Sequence, residues 1–414
     1  VLVVATLSSF AVLGLGRFGY TMVLPAMQKG LGLSNTLAGS LATANVIGYA
    51  TMSLVGGALA ARFGTRAVLP VGLVIAAIGM ALTGVAQGFA EAAGWRLLTG
   101  IGTGLTNVPA TALAGAWFAR RLRGVASGVV VSGSSIGLIV AGPLVPRVLA
   151  ATGPDGWRAI WWIYGGITAV IAALAYALIR NRPTDLHLLP VGMAETAAVP
   201  GRAAGLSDSS DTPALEAVPG RAQWRLIFRS PIVWHLSLVY FCFGLAYLAF
   251  MTFFTKHLIT SGGYSPQAAG DLYMLLGWCT LVSGSLWGGI SDRIGRKWAF
   301  AVVCLVQAAS FALFGLWQAP AGFTIAAVIF GLSAWGIPAI MAATCGDVFG
   351  ARLAPAALGL VTLFFAVGMA VGPAVAGAIA DATGSFVPAF LLASVVAVLG
   401  SVAAITLGST VRRV

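Results

Sequence analysis

Arg17 is the residue whose chemistry first asks for an explanation. It stands near the middle of an apolar run that opens the chain, flanked by Gly14, Gly16 and Gly19. A guanidinium is always charged, and its planar fork matches a carboxylate at two points. Held at lipid depth it costs at least about 2.5–3.5 kcal/mol on insertion scales, so it faces a wet cavity or a partner. Two readings follow: Arg17 binds an anionic group on a substrate, or it is satisfied for structure alone by backbone carbonyls or a buried acid. Tyr20 lies one helical turn on, on the same face; it offers its hydroxyl to the same anion or simply packs. Asn107, three residues after Gly104 in a later apolar run, needs partners when buried, from another helix or from a ligand. Asp271 is the acid best placed for coupling. Partial burial would let it hold a coupling proton; the alternative is an acid favoured at a helix N-terminus by the helix dipole. Lys256 and His257 end an apolar run, where they draw anions to an outer vestibule or snorkel to the interface.

The elements that position these residues are apolar helices. Of the 414 residues 59% are hydrophobic and only 8% charged, whereas soluble domains carry roughly 25% charged residues. Runs of about 20 apolar residues, long enough to cross a hydrocarbon core, predict twelve transmembrane helices over 2–26, 38–61, 67–88, 91–117, 123–149, 157–180, 232–256, 267–290, 298–317, 321–344, 354–380 and 386–408. The organisation expected is an N-terminal six-helix bundle over 1–181, a cytoplasmic linker over 182–230, and a C-terminal six-helix bundle over 231–414. The linker holds Asp185, Glu195, Asp208, Asp211 and Glu216 among Pro, Ser and Gly, a composition that cannot bury a core; a short interfacial helix is expected near Trp224 and Phe228.

The net charge of +12 does not indicate nucleic acid, because it lies in short segments between apolar runs. Placing the N-terminus in the cytoplasm puts most of the Lys and Arg on that side, which predicts both termini inside a bacterial inner membrane. Cys242, Cys279, Cys304 and Cys345 fall in or at the ends of apolar segments, as small packing residues do; no metal or cofactor is expected. No cleavable leader is legible, and a short tail is expected to precede Val1. Nothing resembles a hydrolase elbow or a phosphate loop, which argues against an enzyme and against direct ATP drive.

The two halves repeat. Ser34, Gly39, Gly57, Arg62 and Gly64 recur at the same spacing as Ser265, Gly270, Gly288, Arg293 and Gly295, and the pair Gly142 and Pro143 recurs as Gly372 and Pro373. Two bundles in the same orientation are related by an axis along the membrane normal, with room for a solute between them. Tyr247 is the repeat partner of Arg17, so it faces that space from the other bundle or packs as an ordinary aromatic. Trp335 and Phe364, at mid-depth in the tenth and eleventh helices, form an apolar wall to the pocket or belong to the core.

Residues 288–297, with Asp292, Arg293, Gly295 and Arg296, resemble the cytoplasmic loop signature of the major facilitator superfamily, and residues 57–66, with Arg62 and Gly64, resemble its first-half copy. Arg96, Gly100, Gly102 and Gly104 resemble a second signature, and Gly133, Gly137, Gly142 and Pro143 a third. Segments 117–133, 16–20 and 331–339 are similar to monocarboxylate, oxalate–formate and cyanate-permease-like carriers. The resemblance implies an all-α membrane protein of twelve transmembrane helices in two pseudo-symmetric six-helix bundles, the major facilitator fold, and the residues expected to meet substrate are Arg17, Tyr20, Asn107, Tyr247, Trp335 and Phe364. Such a carrier moves a small organic anion, by itself a monomer in lipid, with a proton as its partner ion. A gating loop of Arg62, Asp292, Arg293 and Arg296 would latch the bundles in one state; Ala61 stands where the first copy usually has an acid, leaving Asp292 to carry the latch. The rivals are a proton-driven drug or metabolite efflux pump of the same fold and a non-transporting membrane protein such as a sensor.

Overall fold

The computed structural model describes residues 1–119, 122–153, 155–186, 188–192 and 226–407. Most of the expected linker, including Glu195, Asp208, Asp211, Glu216 and Trp224, lies outside the described residues. Residues 226–229 form a single helical turn before the seventh long helix.

Twelve long helices fill the described residues: α1 Leu2–Gly30, α2 Asn35–Phe63, α3 Thr65–Thr83, α4 Phe89–Trp117, α5 Arg123–Thr152, α6 Gly156–Leu178, α7 Pro231–Thr260, α8 Pro266–Ile294, α9 Arg296–Leu316, α10 Pro320–Gly350, α11 Leu353–Thr383 and α12 Val387–Ile405. Ten are long and apolar enough to cross a membrane, and α2, bent near its middle, makes an eleventh. The remaining helix, α4, is as long as α2 but rich in Gly, Thr and polar side chains, with Glu91 and Arg96 in its first half. The protein is a multi-pass membrane protein, as its composition requires.

The repeat is legible in the helix ends. Ser34 caps α2 by accepting from the Leu37 N–H at 3.2 Å, and Ser265 caps α8 by accepting from Ala268 at 3.1 Å, each satisfying one of the unpaired donors at a helix start. The tight turns α2–α3 and α8–α9 pass through Gly64 and Gly295 at φ of 82° and 86°, where a Cβ would be strained. That requirement explains why both glycines recur in the two halves.

Helix packing follows the same symmetry. Within the first half α4 packs on α2 and α3, and α1 on α5; within the second α7 packs on α11 and α9 on α12. Between the halves α2 packs on α11 and α8 on α5, so each seam joins one helix from each repeat. Close approach is set by missing side chains: a Cβ on Gly14 of α1 would stand 2.7 Å from Gly137 Cα of α5. Small residues at such crossings let backbones touch where lipid supplies no hydrophobic drive.

The halves are sealed at the end away from the termini. Thr21 Oγ1 donates to the Met251 carbonyl at 2.9 Å, Thr43 Oγ1 to that of Ala370 at 2.5 Å, and Tyr273 Oη to that of Phe18 at 2.8 Å. Asp381, near the end of α11, accepts from the backbone N–H of Asn35 at 2.9 Å and of Thr36 at 2.8 Å, and from the Thr36 hydroxyl at 2.6 Å. Lys256 Nζ of α7 donates to Gln28 and Asn35. Among the described residues, hydrogen bonds between the halves run only from mid-depth to this end.

Candidate functional site

Arg17 sits where α1 changes its winding. Leu2–Ser9 is α-helical, Phe10–Phe18 is a π-helix, and Gly19–Gly30 is α-helical again. The Gly19 N–H bonds back to the Gly14 carbonyl, five residues away. Such wide turns occur mostly as single interruptions and frequently at functional sites. Gly14 meets Gly137, Gly16 meets Met80 and Thr99, and Gly19 meets the ring of Tyr164, so the three glycines that flank Arg17 are contact points with α5, α3, α4 and α6.

The Arg17 side chain is 9% exposed. Its guanidinium lies 4.1 Å over the ring of Tyr49, and Nε donates to Asn45 Oδ1 at a long 3.5 Å. Both partners come from α2 and both are neutral. Nη2 is buried without a partner. Arg17 is therefore held by a face-on aromatic contact and a weak amide bond, with hydrogen-bonding capacity left over. Tyr49 Oη accepts from Asn107 Nδ2 at 3.5 Å, which brings Asn107 of α4 into the same group, and Asn107 Oδ1 is also without a partner.

The second half closes on this group with aromatic rings. Tyr247 is buried among Phe18, Phe243, Phe330 and Trp335, and its hydroxyl has no hydrogen-bond partner. It is near enough to Arg17 for the two to interact electrostatically. Trp335 lies at a break in α10, between Ser333 and Gly336. Its ring centroid is 5.9 Å from those of both Phe18 and Tyr247, and its Nε1 donates to Ser135 Oγ of α5 at 3.2 Å. Arg17, Asn107, Tyr247 and Trp335 thus come together from four helices.

The other candidate residues lie apart from them. Tyr20 is not turned to the anion position that its spacing suggested: its hydroxyl donates to the Ala38 carbonyl at 2.7 Å, and its ring lies under Arg96 and beside Trp161. Phe364 stacks edge-on against Trp234 at 5.7 Å. Asp271 is exposed and accepts from Gln267 within its own helix at 3.1 Å, so the burial on which a proton role was argued is not met. The gating loop also differs from expectation. Arg296 pairs with Asp292 at 2.6 Å and with Asp347 at 2.8 Å, all three in the second half, and Arg293 is exposed. Arg62, also exposed, lies over its own neighbour Phe63. Asp292 therefore ties α8 to α9 and α10 and does not bridge the bundles; the halves are joined at the opposite end.

Several residues escaped the sequence reading. Arg96, only 1% exposed, donates through Nη1 to the Gly16 carbonyl at 2.5 Å and lies over the rings of Tyr20 and Trp161. Asn45, fully buried, connects the two arginines, since its Nδ2 donates to the Arg96 carbonyl at 3.3 Å while its Oδ1 accepts from Arg17. A charged residue inside a Gly-rich helix was the available signal for Arg96. All the described acids are exposed: Glu91, Asp155, Asp185, Asp271, Asp292, Asp347 and Asp381. The buried interior therefore contains two guanidinium groups and, among the described residues, no carboxylate.

The model of the Major Facilitator Superfamily matches residues 6–265. The chain belongs to the major facilitator superfamily. A second model, described as the uncharacterised MFS-type transporter YbfB, matches residues 213–405. Membership sets the chain among membrane transporters and not among enzymes. A probable sulfoacetate transporter of Cupriavidus necator is 26% identical over 281 residues, 68% of this chain and 62% of the relative. A hexuronate transporter of Bacillus subtilis is also 26% identical, over 69% of this chain and 62% of the relative; the chain thus spans less than two thirds of the length of either. In three dimensions the superfamily fold is shared with a bacterial homologue of the lysosomal transporter Spinster (TM-score 0.76, 16% identity, 97% of this chain and 95% of that one) and with a D-xylose–proton symporter (TM-score 0.75, 16% identity, 99% and 98%).

Proposed function

We propose that this superfamily member is a secondary transporter that carries a small organic anion, in the simplest case a monocarboxylate, by alternating access with a proton as coupling ion. It works as a monomer in a bacterial inner membrane with both termini in the cytoplasm, the orientation that the basic segments favour. The observation that carries the reading is the pair of buried guanidinium groups, Arg17 and Arg96, without a buried carboxylate among the described residues. An uncompensated charge in a low-dielectric interior is expensive, and a bound anion offsets it. The vacant Arg17 Nη2 and Tyr247 hydroxyl supply donors for a carboxylate at the meeting of the halves. A drug exporter would call for an Arg17 neutralised by an internal acid, and its partners here are neutral. Relatives named for sulfoacetate and hexuronate carry anions, in keeping with this reading.

Asp381 is the described acid that bonds one half to the other, accepting from Asn35 and Thr36 of α2. The test is uptake of labelled small carboxylates by the protein reconstituted in liposomes, with and without a pH gradient. Arg17→Gln is expected to abolish uptake while the protein still melts cooperatively, and full uptake by this variant rejects the assignment.

A further inference from the structure

We infer that the anion this site selects has a flat, aromatic body and few hydroxyls, an aryl carboxylate being the class that fits. The inference rests on the anion-carrier reading and goes beyond it by choosing among anions. Three rings from two halves, Phe18 of α1, Tyr247 of α7 and Trp335 at the break in α10, meet one another with centroids 5.9–6.4 Å apart. Phe18 follows Arg17 in α1, and Tyr247 and Trp335 reach that level of the helix through it. Rings at these separations gain contact energy from one another, and a ligand's ring lying on the cluster would gain the same kind of contact.

The polar inventory points the same way. The partnerless polar atoms in this group are Arg17 Nη2, Tyr247 Oη and Asn107 Oδ1. The first two donate to the oxygens of one carboxylate, and the third accepts from one donor on the ligand. Ser135 Oγ is already bonded to Trp335, and Ser283 Oγ accepts from the Trp335 N–H at 3.1 Å. Asn45 is used on both sides by the two arginines. A sugar acid would bring several hydroxyls to a place whose spare acceptors are few, Asn107 Oδ1 and the remaining lone pairs of the Ser135 and Tyr247 hydroxyls, and each hydroxyl buried without a partner weakens binding. Arg96 lies apart from this group: its Nη1 is held by the Gly16 carbonyl and its face lies over Tyr20 and Trp161, all within the first half, and its Nε is a further buried atom without a partner. A ligand with one carboxylate, a ring, and at most one further donor satisfies each vacant atom.

The tethered Trp335 makes the body selective. Its indole N–H reaches Ser135 of the opposite half, so the ring that would lie on the ligand is fixed by the same contact that joins the halves. Replacing the ring keeps the guanidinium and removes the surface that distinguishes a flat ligand from an acetate-sized one.

The experiment is binding to the whole protein in detergent and uptake into liposomes, using benzoate, 4-hydroxybenzoate, acetate, glucuronate and the neutral control benzamide. The expected order places both benzoates about tenfold or more tighter than acetate or glucuronate, the scale of one aromatic contact plus buried area, with benzamide not binding. Trp335→Leu is expected to reduce the preference for benzoate over acetate to about threefold or less, while Arg17→Lys weakens all the carboxylates together. Tyr247→Phe, which keeps the ring, is expected to keep the benzoate preference and weaken every carboxylate. Acetate or glucuronate binding as tightly as benzoate overturns the aromatic inference and leaves the anion reading standing. Benzamide binding as tightly as benzoate, or no carboxylate binding at all, overturns the anion reading itself.

Discussion

Asp381→Asn should loosen the sealed end, and the size of the effect can be worked from the structure. The carboxylate accepts three hydrogen bonds, at 2.6, 2.8 and 2.9 Å, from the first two residues of α2. It also places a negative charge at a helix N-terminus, worth about 0.3–1 kcal/mol. Hydrogen bonds to a charged group contribute about 1.5–3 kcal/mol each when desolvated, but Asp381 is exposed, and water competes for it. An Asn retains one acceptor oxygen and loses the charge. A net loss of about 1–2 kcal/mol is a reasonable total, equivalent to a change of about 5–30-fold in the sealed-to-open ratio. Hydrogen exchange on the intact protein reads this directly: peptides covering residues 33–43 and 370–383 should both exchange faster by about that factor. Ser265→Ala removes the corresponding cap of α8, within the second half, and should leave both peptides unchanged. If Asp381→Asn leaves both peptides unchanged, the carboxylate does not hold the halves together and the account of the sealed end is wrong.

Other expectations follow from the same contacts. Gly14→Leu drives a side chain into Gly137 of α5 and should lower stability by about 1–3 kcal/mol or more, seen as a lower melting temperature in detergent; an unchanged melt would mean that α1 and α5 separate freely. Arg96→Gln removes the side chain that holds the Gly16 carbonyl and should weaken substrate binding without abolishing it, measured as a raised KM against a smaller change in kcat. Wild-type KM in that variant would free Arg17 from dependence on Arg96. Asp271→Asn, altering an exposed side chain bonded only to Gln267, should leave the pH profile of uptake unchanged, and a flattened profile would return Asp271 to the coupling step.

The fold was legible because lipid makes the helix the only economical spanning element here, so hydropathy alone locates the spans. α4 shows the limit of that rule: its Gly, Thr and Asn weaken the apolar signal, although the run over 91–117 is still legible as a helix. The repeat also pointed from Arg17 to Tyr247, its counterpart in α7, which packs on Phe18, the residue after Arg17. Tyr20 was misplaced for a local reason. One-turn spacing assumes α-helical winding, and α1 passes through a π segment up to Phe18 before Tyr20 turns toward Arg96. Asn45, Tyr49 and Asp381 carried no periodic or motif signal. Their roles depend on which helices meet, and a single sequence does not state that. Asp292 was assigned to the wrong latch because a loop signature fixes local chemistry while the conformational state decides which helix end it meets.

The two seams between the halves look alike in helix pairing but differ in what fastens them. Along α2 and α11 the backbones touch and are also clasped, by Thr43 on Ala370 and by Asp381 on the first turn of α2. Along α5 and α8 Gly142 rides directly on Gly270, and the described residues show no hydrogen bond tying those two helices. One seam is buttoned and the other is a smooth bearing. Parting the halves at the far end costs the bonds between α2 and α11, a cost that the α5–α8 crossing does not share, so an internal repeat has left two like seams unequally fastened.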